Sequence, residues 1–116
     1  GRKAEDFIAV QKEHTVRQAF QIMKEKDISQ LPVMEGEEII GGLTESTVLS
    51  FLLDNPLNNG EKSITEIMDD PFPVVQCETP LSQLRPYLNK RIPAVVTKTQ
   101  AGTWQIVTQY DILQAV

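Results

Sequence analysis

Two short motifs place hydrogen-bonding side chains three residues apart, each directly before an apolar run with helical spacing. Thr108 and Asp111 form a T-x-x-D motif, whereas Thr44 and Thr47 form a T-x-x-T motif in the first half of the chain. A carboxylate accepts charge-assisted hydrogen bonds, which are the stronger kind. The T-x-x-D spacing is also that of a helix capping box. It therefore predicts either a helix cap alone or a cap that also presents its carboxylate to a ligand.

The other reactive side chains do not form a catalytic or metal-binding set. The chain has one cysteine, Cys77, and one histidine, His14, which excludes a disulfide framework and a metal site built from several histidines. No C-x-x-C or H-E-x-x-H spacing occurs, and Cys77 has no apparent base partner. Gly41-Gly42 lacks the G-x-G-x-x-G fingerprint, and we expect this pair to permit a bulge or a close backbone contact. The sequence predicts no catalytic residues, no metal and no enzymatic activity.

Length, composition and charge narrow the class of partner. The chain has 116 residues, of which 41% are hydrophobic, and this is typical of a globular protein. Its net charge is −5 and its Lys and Arg residues do not cluster, which argues against nucleic acid and anionic membrane surfaces as partners. The apolar stretches are far shorter than the ~20 residues of a membrane span. A lone cysteine is compatible with a cytoplasmic location, and a first residue other than Met indicates a fragment of a longer protein.

The two halves of the chain are similar to each other, which indicates an internal duplication. An apolar helical stripe that starts at Val16 recurs 65 residues later, and Thr44 recurs 64 residues later at Thr108. The strand-like segments 31–34 and 93–96 are matched at an offset of 62. We attribute this smaller offset to a shorter loop before the second strand.

Each half is predicted to contain an extended segment, a helix, a hairpin and a final helix. The first helix of each half follows Thr15 or Pro80, and Pro86 is expected to shorten the second of these helices. The predicted hairpin turns are 35–37 and 99–102, where glycine lies in a short polar run between two strand-like segments.

Between the halves, residues 55–60 contain proline and two asparagines and are expected to form a connector. Ser63 then opens a capping-box turn that ends with Glu66. Each half has an apolar sheet face that it cannot cover alone, so two halves packed face to face would bury both faces. The predicted class is therefore α+β, with one shared core.

The order and spacing of these elements resemble the CBS domain repeat. The first copy carries the resemblance in TVRQAFQIMKEKDISQLPV and IIGGLTESTVL, and the second in TPLSQLRPYL, IPAVV and QIVTQYDIL. The resemblance implies an α+β fold of two pseudo-symmetric CBS repeats, each a small β-sheet with flanking helices, packed face to face. It divides the chain into a linker at 1–6, CBS repeat 1 at 7–57, a connector at 58–63 and CBS repeat 2 at 64–116.

The resemblance also implies a ligand site. In the family T-x-x-D holds ribose, which assigns Thr108 and Asp111 as ligand-binding residues, since one carboxylate can accept from both vicinal hydroxyls. Thr44 and Thr47 would form a weaker second site because a hydroxyl cannot serve a diol in this way. The base is expected between Ile106 of one repeat and the helix-to-strand corner of the other, comprising Ile28, Ser29, Gln30, Leu31 and Pro32. Taken one at a time, the apolar members of this set are also explained as core residues.

The implied function is that of a regulatory module that binds an adenosyl small molecule and controls an attached domain. The candidate ligands are S-adenosylmethionine, AMP and ATP. Basic residues that could meet phosphates, such as Lys90 and Arg91, are few, which favours S-adenosylmethionine. The segments DISQLPV, GGLTESTVL and VTQYDIL look most like the C-terminal regulatory region of a bacterial cystathionine β-synthase-type enzyme of cysteine biosynthesis. The covalently attached pyridoxal-phosphate catalytic domain would then lie outside this chain.

Two alternatives stay open. The chain could be a ligand-free CBS dimerisation module in which T-x-x-D is only a cap, or a CBS pair of a transporter, a channel or a nucleotide-metabolism enzyme. The resemblance also implies a homodimer that packs through its helices. Four apolar residues are expected to face the partner: Phe20, Leu52, Leu53 and Leu88.

Overall fold

The computed structural model describes residues 7–76, 80–84, 88 and 92–114. These residues form two compact units. The first unit is Ile8–Pro71, and the second unit contains Phe7 and the described residues from Phe72 onwards. Each unit has one three-stranded sheet together with helices, which confirms the predicted α+β class. Four residues discussed above lie outside the described part of the chain: Cys77, Pro86, Lys90 and Arg91.

The first unit follows the predicted order of elements and has one additional short helix. Its strands are β1 (Val10–Gln11), β2 (Gln30–Glu35) and β3 (Glu38–Thr44). Its helices are α1 (Val16–Lys26), α2 (Glu45–Asp54) and α3 (Pro56–Asn59), and a 3₁₀ turn follows at Ile64–Glu66. β1 pairs with β2 in parallel, and β2 pairs with β3 antiparallel as the predicted hairpin. The expected connector contains α3, where proline occupies the first helical position.

The described elements of the second unit follow the same order. Its strands are β4 (Val74–Gln76), β5 (Ala94–Lys98) and β6 (Trp104–Thr108). Its described helices are α4 (Leu81–Leu84) and α5 (Gln109–Gln114). β4 pairs with β5 in parallel and β5 pairs with β6 antiparallel. The predicted second hairpin is therefore confirmed.

Helix α1 begins where its sequence predicts. The Gln18 N–H donates to Thr15 Oγ1 at 3.1 Å, and the Thr15 N–H donates to Gln18 Oε1 at 2.8 Å. This reciprocal pair is a capping box. The predicted apolar stripe of α1 is buried at Val16, Ala19 and Met23, so the helix contributes one face to the core of the first unit.

The strand register corrects one prediction from the sequence. Gln30 pairs with Thr44 in the first unit, and Ala94 pairs with Thr108 in the second. Both pairs are therefore related by an offset of 64, and the predicted strand offset of 62 is wrong. That prediction assumed a shorter loop before the second strand, whereas the register is set by which side chains are buried.

A bulge in β3 accounts for the glycine pair. The register between β2 and β3 shifts by one residue, which leaves Ile40 of β3 without a partner in β2. A Cβ on Gly41 would lie 2.6 Å from the Met68 sulfur, so this position favours glycine. The next residue, Gly42, forms a β-bridge with Asp69. The expectation that Gly41-Gly42 permits a bulge and a close backbone contact is confirmed.

Each unit has its own apolar core. Among the described residues of the second unit, Leu84, Leu88 and Val95 form an apolar cluster, with Val75 and Val107 packed against them. The core of the first unit comprises Val10, Val16, Ala19, Met23, Ile28, Leu31, Val33, Leu43, Val48 and Ile64.

Most of the residues that we expected to face a partner pack within their own unit. Phe20 and Leu52 are half-buried against the core of the first unit. Leu88 is 7% exposed and belongs to the core of the second unit, so its assignment to an interface is wrong. Leu53, by contrast, is 77% exposed. It is the one member of the predicted set with a largely exposed side chain.

Candidate functional site

The T-x-x-D motif lies where β6 meets α5. β6 ends at Thr108 and α5 begins at Gln109, so Asp111 is the third residue of the helix. The N–H and the hydroxyl of Thr108 both donate to Asp111 Oδ2, at 2.9 and 3.2 Å. In return, the Asp111 N–H donates to Thr108 Oγ1 at 3.4 Å. The motif therefore caps α5, as one of its two interpretations predicts.

Capping leaves one oxygen of the Asp111 carboxylate uncommitted. Within the described residues, the hydrogen bonds that this side chain accepts all go to Oδ2, and Oδ1 accepts none. Asp111 is half-buried, and its two bonds to Thr108 fix its orientation. A carboxylate has about four lone-pair sites, so a ligand hydroxyl could bind Oδ1 without breaking the cap. The capping role and a binding role are compatible at this residue.

The equivalent position in the first unit uses a hydroxyl in place of the carboxylate. β3 ends at Thr44 and α2 begins at Glu45. Thr44 Oγ1 accepts the Thr47 N–H at 3.4 Å and donates its proton to Thr47 Oγ1 at 3.0 Å. A threonine hydroxyl is neutral and brings a single proton. Thr47 can therefore accept fewer and weaker hydrogen bonds from a diol than Asp111 can, although the two motifs occupy equivalent positions.

The corner between α1 and β2 is a tight turn. Asp27 ends α1 with a left-handed φ of 54°, and the Ile28 N–H donates back to Met23 O at 3.0 Å. This six-to-one hydrogen bond is typical of a helix that stops at a left-handed residue. It fixes the point at which the chain leaves the helix and enters β2.

The five predicted corner residues divide into buried and accessible members. Ile28 and Leu31 belong to the core of the first unit, which confirms their interpretation as core residues. Pro32 is also fully buried. Ser29 is exposed and Gln30 is half-buried. The polar residues Ser29 and Gln30 are therefore the corner side chains that a ligand could reach.

Backbone contacts hold the corner beside the first-unit motif. The Glu45 N–H donates to Ser29 O at 2.9 Å, and Gln30 pairs with Thr44. In the second unit, Ile106 is half-buried and lies two residues before Thr108 in the same strand. The predicted site residues therefore form two sets, one in each unit. The first set contains Ile28, Ser29, Gln30, Leu31, Pro32, Thr44 and Thr47, and the second contains Ile106, Thr108 and Asp111.

A shallow pocket beside Thr47 was not predicted from the sequence. Its volume is about 430 Å³, and its lining residues are Ser46, Thr47, Ser50, Phe51, Asp54 and Ile67. Ser46, Ser50 and Asp54 follow each other at intervals of four, which places them on one face of α2. The four-residue spacing of these polar residues is the sequence signal from which this side of the pocket could have been predicted. The three polar residues are exposed, so the pocket is an extension of the Thr44–Thr47 surface.

Several cations of the described chain are engaged within their own unit. A hydrogen bond from Lys12 to Glu35, together with the charge of that carboxylate, raises the pKa of Lys12 above its ordinary 10.5. Arg17 binds a carboxylate and a backbone carbonyl. Lys62 and Lys98 lie 5.8 and 5.1 Å from the centroids of aromatic rings, within cation–π distance.

The described residues contain neither a metal cluster nor a spanning helix. Within residues 7–76, 80–84, 88 and 92–114, no three His, Cys, Asp or Glu side chains are placed to hold a metal ion. Among the helices described in those ranges, none is long and apolar enough to cross a membrane.

The fold and the motifs agree with comparisons to known proteins. The model of the CBS domain family matches residues 4–54 and 64–116. A CBS-domain protein from Agrobacterium tumefaciens superposes with a TM-score of 0.81 at 16% identity, over 95% of this chain and 89% of that one. One from Burkholderia ambifaria gives 0.82 at 19% identity, over 97% and 83%. CBSX2, solved in complex with AMP, gives 0.72 at 19% identity, over 99% and 96%.

These structural neighbours establish the fold, and the family model establishes the family. Among curated protein sequences, none matches this chain. The two matched segments together cover most of the chain and contain both T-x-x-[DT] motifs. Both segments match the same family, which agrees with the internal duplication. The chain belongs to the CBS domain family and contains two CBS repeats.

Proposed function

We propose that this CBS pair is a regulatory module whose second repeat binds the ribose of an adenosyl ligand through Thr108 and Asp111. The observation that carries the proposal is the half-buried Asp111 carboxylate, which is oriented through Oδ2 and, among the contacts of the described residues, is uncommitted at Oδ1. A carboxylate is the group best suited to accept from two vicinal hydroxyls. The AMP complex of CBSX2 supports an adenosine-containing ligand.

Around the base we propose the contacts that the family resemblance implies. These are Ile106 and the corner residues Ile28, Ser29, Gln30, Leu31 and Pro32. The burial of Ile28 and Leu31 within the core of the first unit limits their role to shaping the surface. Ser29 and Gln30 are the more accessible members, so their backbone and side chains are the stronger candidates for reading the edge of the base.

For the ligand itself we propose S-adenosylmethionine ahead of AMP or ATP. Phosphates are best stabilised by cations or by N–H groups at a helix start. Among the described cations, Lys12, Arg17, Lys62 and Lys98 have partners within their units, whereas Lys24 and Lys26 in the last turn of α1 are exposed. The support for a ligand that needs less positive charge is that basic residues are few. S-adenosylmethionine has no phosphate and carries its own positive charge on sulfur.

Thermal unfolding in the presence of adenosine, AMP, ATP and S-adenosylmethionine tests the proposal directly. A ligand that binds only the folded state raises the melting temperature. We expect at least one of these compounds to do so for the wild type and to lose the effect with Asp111→Ala. Thr47→Ala is the matched control at the equivalent position of the first unit, and it should retain the effect. No stabilisation by any of the four compounds would contradict the proposal.

The ligand-free alternative is a dimerisation module in which Asp111 serves only as a cap. It is favoured by the complete capping box and by exposed leucines in the first unit, namely Leu53 at 77% and Leu57 at 84% exposure. For the homodimer we propose that these leucines, in place of Leu88, contact the second copy. Light scattering should report a dimer for the wild type and a weaker dimer for Leu53→Asp. Val74→Asp, at a 61% exposed position in β4, is the control.

We also propose that the natural polypeptide joins this cytoplasmic module to a catalytic domain of the cystathionine β-synthase type. The support is the likeness of DISQLPV, GGLTESTVL and VTQYDIL to the regulatory region of such enzymes. Purification of the full-length polypeptide with pyridoxal phosphate bound outside the CBS pair would support this parent. A full-length polypeptide in which the CBS pair is joined to a transporter, a channel or a nucleotide-metabolism enzyme would contradict this parent.

A further inference from the structure

The chain contains a single Asn-Gly dipeptide, Asn59-Gly60, at the end of α3. Asparagine is a chemically labile residue that can lose ammonia without an enzyme. A glycine after it makes this reaction fastest, because no side chain shields the backbone nitrogen that attacks the amide. The other asparagines of the chain are followed by proline, asparagine or lysine. The sequence alone therefore singles out Asn59 as the residue with the highest intrinsic reactivity.

The reaction uses the backbone nitrogen of Gly60 as its nucleophile. This nitrogen gives its proton to hydroxide and bonds to Cγ of Asn59. The bond from Cγ to Nδ2 breaks, and the amide nitrogen takes a proton from water and leaves as ammonia. One water molecule then opens the succinimide ring, which yields aspartate or isoaspartate according to the carbonyl that it attacks. Solvent water is the only co-reactant, and nothing is oxidised or reduced.

The fold of the first unit holds the asparagine away from this reaction. Asn59 is 7% exposed, and its Nδ2 donates to Phe51 O at 2.7 Å. Its backbone N–H donates to Asn55 O at 2.8 Å, and its own carbonyl accepts the Lys62 N–H at 3.2 Å. Ring closure requires the backbone of Asn59 to leave its helical conformation and the side chain to release Phe51 O. The three hydrogen bonds oppose these movements.

The nucleophile is held in place as well. Gly60 is buried, its φ and ψ are −63° and −26°, and its carbonyl accepts the Arg17 N–H at 3.0 Å. A Cβ on Gly60 would lie 2.6 Å from Cζ of Arg17, so the guanidinium packs directly against this glycine. The same guanidinium donates to Pro56 O at 3.1 Å and binds the Glu61 carboxylate. Arg17 therefore fixes the chain on both sides of the dipeptide.

We propose that Asn59-Gly60 is a deamidation site that the folded first unit protects and that reacts when α3 opens. An aspartate at this position has no N–H to donate to Phe51 O, and it places a charge beside a carbonyl oxygen at a buried position. Isoaspartate inserts an extra methylene group into the main chain and displaces Gly60 O from the Arg17 N–H. Either product loosens the attachment of α3 to α1 and α2, and the loss persists after refolding. This modification involves no ligand and is independent of the proposed adenosyl site.

Peptide mass spectrometry on the full chain measures the protection. Samples kept at mildly alkaline pH, in native buffer and in urea above the unfolding midpoint, are digested with trypsin. Fragment ions then locate the added mass within the peptide that ends at Lys62. In urea, Asn59 should deamidate faster than Asn58, and about ten-fold or more faster than it does in native buffer, because the reaction follows the population of the open state. Equal rates at Asn59 in the two buffers, or a slower rate than at Asn58 in urea, would overturn the proposal.

A pair of matched variants tests the contacts that protect the site. Arg17→Ala removes the guanidinium from Gly60 and should accelerate deamidation in native buffer about three- to ten-fold, the equivalent of one net hydrogen bond. Lys12→Ala removes an ion pair with Glu35 that does not involve α3 and should leave the rate unchanged. Equal acceleration by both variants would refute local protection. If Arg17→Ala does not fold, urea below the midpoint replaces it, and a wild-type rate that does not rise with urea would be equally contrary.

Asn59→Asp copies the aspartate product and tests the consequence of the reaction. Its urea midpoint, followed by far-UV circular dichroism, should lie below that of Asn59→Ala, because the carboxylate adds a buried charge to the lost hydrogen bond. Asn58→Asp, at the adjacent exposed position, is the control and should stay close to the wild type. If Asn59→Asp does not fold, wild-type protein deamidated in urea and then refolded gives the same comparison. A product as stable as the unmodified chain would overturn the inferred loosening.

Discussion

Asp111 and Thr108 satisfy each other's hydrogen-bonding groups across the start of α5. Asp111 Oδ2 accepts both the N–H and the hydroxyl of Thr108, and Thr108 Oγ1 accepts the Asp111 N–H. The carboxylate is therefore oriented before any ligand arrives, and only Oδ1 is uncommitted among the described contacts. In the first unit, Thr44 and Thr47 repeat the cap with hydroxyls alone. The same local geometry thus yields a cap with a carboxylate in the second unit and a cap with hydroxyls alone in the first.

The cap predicts a stability difference between two substitutions of Asp111. Asp111→Ala removes the acceptor for the Thr108 N–H and should lower the free energy of unfolding by about 0.5–2 kcal/mol. Asp111→Asn keeps an acceptor oxygen and should lose less. Urea unfolding followed by Trp104 fluorescence measures both, because Trp104 lies in the strand that ends at Thr108. An Asp111→Ala variant as stable as the wild type would contradict the cap.

The ion pair between Lys12 and Glu35 predicts that its contribution to folding stability is lost at high pH. Glu35 raises the pKa of Lys12 above 10.5 in the folded state. The contribution of this pair to stability is therefore fully present below pH 10.5, the ordinary pKa, and is lost as the pH rises through the higher folded-state pKa. Glu35→Gln should move the pKa of Lys12 back towards 10.5, as followed by NMR of the lysine side chain. Glu13→Gln should have the smaller effect, since Glu13 contributes less. A larger effect from Glu13→Gln would contradict this assignment.

A buried asparagine supports the end of α2. Asn59 is 7% exposed, and its Nδ2 donates to Phe51 O at 2.7 Å. Phe51 belongs to the last turn of the helix, where carbonyls lack partners within the helix. Asn59→Ala should therefore lower the free energy of unfolding by about 0.5–1.5 kcal/mol, the net contribution of one intramolecular hydrogen bond. Urea unfolding followed by far-UV circular dichroism measures it. Asn58→Ala, at the adjacent exposed position, is the control, and an equal loss there would refute the argument.

The features that the sequence predicted correctly depend on contacts between residues close in the chain. The start of α1 after Thr15 follows from the apolar stripe of that helix. The cap at Thr108 and Asp111 involves residues three apart, and both hairpins have short glycine-containing turns. Such patterns are set by local geometry, so they can be read without knowing the rest of the fold. The duplication itself was visible because Thr44 and Thr108 preserve an offset of 64.

The features that were missed depend on partners distant in the chain. The strand offset was misjudged because strand register depends on which side chains are buried, and the sequence does not state this directly. Asn59 lies in an Asn- and Pro-containing stretch that is typical of an exposed connector, yet its partner is eight residues earlier at Phe51. Ile64 was expected only in a short turn, but it is fully buried through contacts with the first unit. Leu88 was likewise taken for a surface residue, whereas it packs against β5 and α4.

A comparison of ribose and deoxyribose ligands separates the ligand-binding role of Asp111 from its capping role. AMP and its 2′-deoxy and 3′-deoxy analogues share the base and the charge and differ by one hydroxyl. If the two lone pairs of Oδ1 accept from the ribose diol, removing one hydroxyl should weaken binding about ten- to a hundred-fold, as expected for the loss of one charge-assisted hydrogen bond. At equal concentrations, AMP should then raise the melting temperature of the wild type more than either analogue does.

Asp111→Asn is the informative variant for this comparison because it keeps a cap acceptor and removes the charge. Its melting temperature without ligand should stay close to that of the wild type, whereas its response to AMP should fall to the level of the deoxy analogues. Thr47→Ala changes the equivalent residue of the first unit and should leave the wild-type ranking of the three ligands intact. Stabilisation of the wild type by AMP that both analogues match would show that Asp111 does not bind the diol. Asp111 would then be a helix cap, and any adenosyl site of this chain would have to hold its ligand through other residues.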